Sequence, residues 1–154
     1  MLKGEERVER VEPEIKLRIP AFIPEDYVPD PNQRLVIYKK LTQAAAAEEV
    51  TDIQEELTDR FGKLPMAATY LLEVMRLRIR LKLLLVREVE FDGRRVVIAF
   101  HPQTPVSPDR IIELIRREPK KYQFTPEYRF ILELNDTSFD GILAEVTNLL
   151  KRLA

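Results

Sequence analysis

Four prolines, Pro20, Pro24, Pro29 and Pro31, fall within twelve consecutive residues, and nothing else in the chain narrows its choice of fold as much. Proline lacks an N–H and holds φ near about −65°, so such a run belongs neither to a helix interior nor to a central strand. Residues 20–31 are therefore predicted as an extended surface segment. Before it, Ile15, Leu17 and Ile19 alternate with Lys16 and Arg18, the period-two pattern of a half-buried strand.

After the segment the period changes to that of a helix. Asn32 is a candidate N-cap, as is Asp30 with Pro31 at the first helical position. Leu35, Tyr38 and Leu41 then recur at helical spacing as far as the alanine run 44–47. A second helix is predicted over 49–61, where Val50, Ile53, Leu57 and Phe61 form one stripe; Gly62 ends it and Pro65 blocks its continuation. A third begins near Met66. Residues 76–83 alternate strictly and fit a strand equally well, but Leu72, Met75, Ile79 and Leu83 also make a helical stripe. Leucine, arginine and lysine favour helix, so helix is preferred.

Asp92-Gly93, flanked by Glu88–Phe91 and Arg95–Phe100, is a strong hairpin signal. Ser107 and Pro108 open a further helix to Glu118, carrying Ile111, Ile112, Leu114 and Ile115. Residues 122–124 and 129–134 read as strands, and Asp136 or Thr137 caps a terminal helix carrying Phe139, Ile142, Leu143, Val146, Leu149, Leu150 and Leu153. This order predicts an α+β fold, a small sheet of about four to five strands, one hairpin included, packed with about five helices. Residues 1–13, rich in glutamate, read as a linker or cut end, and 14–154 as a single domain.

Chemistry is conspicuous by its missing parts. The chain has no cysteine, one histidine and four glycines, which leaves no thiolate nucleophile, no disulfide and no phosphate-cradling loop. His101 has no serine or cysteine signature to serve, and no His/Asp/Glu spacing suits a metal. The expectation is a domain without catalysis, cofactor or metal. No apolar run approaches the roughly 18 residues of a membrane span, so the chain reads as soluble and cytoplasmic.

The formal charge of −1 gives no global case for polyanion binding, so any electrostatic role is local. Glu48, Glu49, Asp52, Glu55, Glu56 and Asp59 crowd one predicted helix with no base between them. Glu56, Asp59 and Arg60 are i, i+3, i+4 neighbours on the flank of its apolar stripe, a candidate docking edge for a basic partner. Asp52 and Glu55 are its candidate extension. The opposite patch is Arg76, Arg78, Arg80 and Lys82, which splits over two helical faces and interleaves with leucine and isoleucine rather than stacking aromatics. It is the candidate for the alternative role, an accessory nucleic-acid-binding domain, though covering core edges and pairing with nearby acids explains it more simply.

Three motifs go beyond periodicity: Ile19-Pro-Ala-Phe-Ile-Pro-Glu-Asp-Tyr-Val-Pro-Asp30, Arg34-Leu-x-x-Tyr38-Lys-Lys, and Glu56-Leu-Thr-Asp-Arg-Phe-Gly-Lys-Leu-Pro65. Together they resemble the C-terminal domain of bacterial transcription-repair coupling factors, over residues 14–134. The resemblance implies a full-length ATP-driven DNA translocase that displaces stalled RNA polymerase and recruits excinuclease A of nucleotide excision repair. It implies that this domain packs against an N-terminal excinuclease-like module of the same chain and covers its recruitment surface. It also places Glu56, Asp59 and Arg60 in that interface. The expected partners are therefore that module directly, excinuclease A and RNA polymerase indirectly, with no direct nucleic acid and a monomeric isolated domain.

Overall fold

The computed structural model describes residues 11–154, so the linker reading for the first ten residues lies outside the described part. The chain is α+β. In order, the elements are β1 (Glu14–Lys16), α1 (Pro31–Gln43), α2 (Ala47–Phe61), α3 (Met66–Leu83), β2 (Val86–Phe91), β3 (Arg95–Phe100), α4 (Pro108–Arg117), β4 (Tyr122–Phe124), β5 (Arg129–Glu133) and α5 (Phe139–Leu153). They group into two compact units, Ile19–Ile79 and the described residues up to Arg18 together with Arg80–Ala154.

The second of these units is built on one mixed sheet of order β1-β2-β3-β5-β4. β1 pairs parallel to β2, and all other neighbours are antiparallel. Alternation places Val89, Phe91, Val96, Ile98, Phe100, Phe130 and Leu132 on the buried face, while Arg87, Glu90 and Arg129 are exposed. The amphipathic α5 contributes Ile142, Val146, Leu149, Leu150 and Leu153 to the same unit's core. Asp92-Gly93 forms the expected hairpin: Gly93 takes φ +102°, and the Asp92 Oδ1 accepts from the N–H groups of Arg94 and Arg95 at 2.9 and 2.7 Å. The Arg95 and Arg94 donors hold the Asp92 carboxyl below its ordinary pKa.

Several expectations need correction. The cap of α5 is Ser138, not Asp136 or Thr137; its Oγ accepts from the Gly141 N–H at 3.0 Å. Asp136 instead receives the Ser138 N–H, and its backbone oxygen stands 2.6 Å from where a Cβ on residue 141 would lie, so only glycine fits there. The first strand stops at Lys16 because Arg18 takes φ +58°, which breaks the extended run before Ile19. β5 ends at Glu133, one residue short of the expected Leu134. In α4 only Ile111 is buried, and Ile112 is exposed.

The helical unit is organised around Ile23, Val28, Ile37, Leu41, Val50, Ile53, Leu57, Leu71 and Leu72. The proline segment is not extended throughout, as expected, but turns over residues 25–28, where the N–H groups of Tyr27 and Val28 both donate to the Pro24 carbonyl at 3.1 Å; nor is it a mere surface strap, since Ile23 and Val28 are among the most buried residues of the unit. Neighbouring side chains supply the hydrogen bonds that a sheet partner would have given. The Tyr38 hydroxyl accepts from the Ile23 N–H at 2.7 Å, and Arg34 Nη1 donates to the carbonyls of Val28 and Pro29 at 2.7 and 3.1 Å. The Tyr27 hydroxyl lies 3.1 Å from the Leu57 carbonyl and 2.8 Å from that of Gly62, which ties the segment to the end of α2. α1 begins at the Asp30 cap with Pro31 following, and its buried pair is Ile37 and Leu41; Leu35 is half-exposed, not part of the core stripe.

Candidate functional site

α2 carries the candidate docking edge. Its N-terminus has no side-chain cap on Ala46; instead Glu49 reaches back and accepts from the Ala45 N–H at 2.8 Å. Glu48 and Glu49 in the first turn also suit the positive end of the helix dipole. Val50, Ile53 and Leu57 are buried, so the helix presents a fixed outer face. Asp52, Glu55 and Asp59 lie on that face, exposed and without an ion pair among the described residues.

The three flank residues sit in different circumstances. Glu56 is half-buried and pairs with Lys40 of α1 across 3.3 Å. Arg60 is exposed, its guanidinium 4.9 Å from the Phe61 ring centre, a stacking contact that holds the fork at the helix end. Asp59 is free to solvent. Next to them, between α1 and α2, runs a groove of about 250 Å³ lined by Asn32, Gln33, Val36, Ile37, Lys40 and Arg60. Ile37 is buried at its floor, while Val36 is half-exposed. Of these, Arg60 is legible in the sequence; Val36, Lys40 and the two amides are not. A polar, weakly amphipathic helix offers no periodic signal for a groove that exists only where two helices meet.

The basic segment on α3 is a helix, which settles the ambiguity of residues 76–83. Its buried apolar residues include Leu72, Leu77 and Leu81; Leu83, expected on the stripe, is instead exposed. Arg76 donates to Gln54 Oε1 at 2.7 Å and to Thr51 at 3.3 Å, and pairs with Glu73 at 3.3 Å. Arg78 donates to the Thr42 carbonyl at 3.1 Å, and Lys82 pairs with Glu12 at 3.3 Å. Arg76, Arg78, Arg80 and Lys82 are all half-buried, with at least three engaged inside their own units. Among the described residues no group of three or more His, Asp or Glu is arranged to hold a metal, and no helix is long and apolar enough to cross a membrane.

The family model described as the TRCF domain matches residues 17–111, which span the proline segment, all of the α1–α2 site and the hairpin. The chain belongs to the transcription-repair coupling factor family. Relatives include the transcription-repair-coupling factors of Haemophilus influenzae, 35% identical over 150 residues and 97% of this chain, and of Myxococcus xanthus, 32% identical over 154 residues and 99% of it. That of Escherichia coli is 37% identical over 125 residues, or 80% of the chain. The chain spans only 11–13% of the length of these relatives. A crystal structure of the C-terminal domain of a transcription-repair coupling factor superposes with a TM-score of 0.81 at 25% identity, covering 92% of this chain and 91% of that one.

Within the transcription-repair coupling factor family, then, this is a C-terminal-domain fold. α2 sets its charged groups beside a shallow groove, with their positions fixed by buried helix faces.

Proposed function

We propose that this chain is a regulatory interaction module of a transcription-repair coupling factor, and that it docks through the α2 flank on the N-terminal excinuclease-like module of the same full-length protein. Docking covers the surface that recruits excinuclease A and keeps the resting factor closed. The full-length protein is an ATP-driven translocase acting on stalled RNA polymerase, and this domain contributes no catalytic group to it. The observation that supports the reading is the α2 outer face, where Asp52, Glu55 and Asp59 stand exposed and without an ion pair among the described residues, beside Glu56 and Arg60. An ordinary solvated helix intersperses bases among its acids; this one has none from Glu48 to Asp59.

The basic segment gives less support to nucleic-acid binding. Counterion release needs cations presented to phosphates, whereas Arg76, Arg78 and Lys82 are engaged by Gln54, Thr42 and Glu12.

The test is the double substitution Glu56→Lys with Asp59→Lys in the full-length factor, reading its affinity for excinuclease A. Docking predicts a gain of about tenfold or more, equivalent to about 1.4 kcal/mol. An unchanged affinity in a variant that melts like the parent would sink the reading.

A further inference from the structure

Two basic runs that lie far apart in the sequence meet on one surface. Arg116-Arg117 ends α4 and Lys120-Lys121 follows it, while Lys151-Arg152 lies in the last turn of α5. Both helices belong to the same compact unit. The Arg110 guanidinium donates to the Arg152 carbonyl at 3.1 Å, and Arg152 in turn donates to the Tyr122 hydroxyl at 3.1 Å. Between the helices lies a groove of about 710 Å³, lined by Arg110, Glu113, Leu114, Arg117, Glu118 and Arg152. Bases in a last turn answer the helix dipole, and local acids take up part of the charge. Arg117 pairs with Glu113 at 2.7 Å, Arg152 with Glu118 at 3.5 Å and Lys121 with Glu145 at 3.1 Å. Arg110, Arg116, Lys120 and Lys151 are left over, all exposed and without an ion pair among the described residues. Against these four bases stands one acid in the same condition, Asp109.

We infer that this α4–α5 surface holds the phosphate backbone of duplex DNA without reading its bases. It uses none of the residues of the docking reading, on which only the choice of DNA as the duplex rests. The lining separates the competing occupants. The groove falls within the volume range of small-molecule sites, but those are mostly apolar, and among the described residues Leu114 is its one apolar wall against five charged side chains. A protein partner needs the same missing anchors, because apolar and aromatic residues seated in pockets carry most interface affinity. The exposed Ile112 of α4 lies outside that lining. A single strand needs aromatic rings on which its bases stack, and no described aromatic lines the groove. A duplex backbone needs neither feature. Cationic side chains presented to phosphates release counterions, which gives binding and register without sequence preference.

The test is fluorescence anisotropy of a labelled DNA duplex of random sequence, titrated with this chain at about 50 and about 200 mM salt. Four phosphate contacts predict an affinity that falls about 100-fold between the two. The triple substitution Arg116→Gln/Lys120→Gln/Lys151→Gln should weaken binding at least about tenfold at the lower salt and flatten the salt dependence by about three-quarters. Thermal melting checks that the variant folds as the parent does. Arg80→Gln/Lys82→Gln on α3 is the comparison and should bind like the parent. No binding at the lower salt, an unchanged triple variant, or a loss confined to the α3 variant would each overturn the inference. Tighter binding of polyglutamate than of the duplex would make the surface a site for an acidic protein segment, and an equal grip on duplex RNA would remove the choice of DNA; both count against it. None of these outcomes bears on excinuclease A binding by the docking variants, so the two readings fail separately.

Discussion

The Tyr27 hydroxyl sits between the carbonyls of Leu57 and Gly62, and burial raises its pKa above the ordinary phenolic value, so it remains a donor. Tyr27→Phe removes that donor while keeping the ring against Phe61, 5.8 Å away between centroids. The expected cost is about 1 kcal/mol, read as a lower urea midpoint with an unchanged slope. The folded-state pKa is raised, so the associated stability is present below the unfolded value of about 10 and fades as pH rises through the folded one. The variant should therefore lose part of the wild-type decline in stability above about pH 10. Single residues of this kind were only half legible. The motif Arg34-x-x-x-Tyr38 was visible as a pattern, but its task of supplying hydrogen bonds to a segment that has no sheet partner depends on a chain path that spacing does not encode. The same holds for Ser138, which caps α5 because Asp136 is committed to the preceding turn.

At the scale of elements, local signals and burial agree in the Asp92-Gly93 hairpin and in the single stripe of α2, which stand where the sequence places them, and part at Leu35 of α1 and Ile112 of α4, both exposed. Ambiguity arose at residues 76–83, where alternation puts Leu77, Ile79, Leu81 and Leu83 on one face of a strand. A helix separates them. Leu77 and Leu81, four apart, are buried to 1% and 0% exposure, while Leu83 is 71% exposed. Length decides the matter, because a strand here would leave the helix from Met66 at about ten residues with half its stripe missing. Two substitutions express the difference. Leu81→Ala should cost about 2–5 kcal/mol, whereas Leu83→Lys should change stability by no more than about 0.5 kcal/mol, both measured by thermal denaturation. Equal losses would restore the strand alternation.

At the scale of the whole molecule the relevant quantity is how tightly a surface like the α1–α2 site can hold a partner. The acidic flank was legible as a run of like charges; the groove beside it was not, because it is formed by two helices whose juxtaposition no single stripe records. Exposed ion pairs contribute about 0–1 kcal/mol each, and burial of one aliphatic anchor about 1.5–3 kcal/mol. Such a site has a Kd no tighter than about 0.1 mM when partner and domain are separate molecules. Under the proposed docking, tethering changes the outcome without adding a contact, since an effective concentration in the millimolar range would keep the closed state ahead by only about 1–3 kcal/mol. A gap of that size lies within ordinary coupling energies, so under the same proposal a rearrangement elsewhere in the factor would suffice to open it. The consequence is measurable by adding this chain in trans to a full-length factor truncated of it. Masking of excinuclease A binding should return only at chain concentrations above about 0.1 mM. It should weaken further as salt rises from about 0.1 to 1 M and the Debye length falls from about 10 to 3 Å. Half-maximal masking at nanomolar chain would mean a permanent interface rather than a latch, and the weak-contact account of this surface would then be wrong.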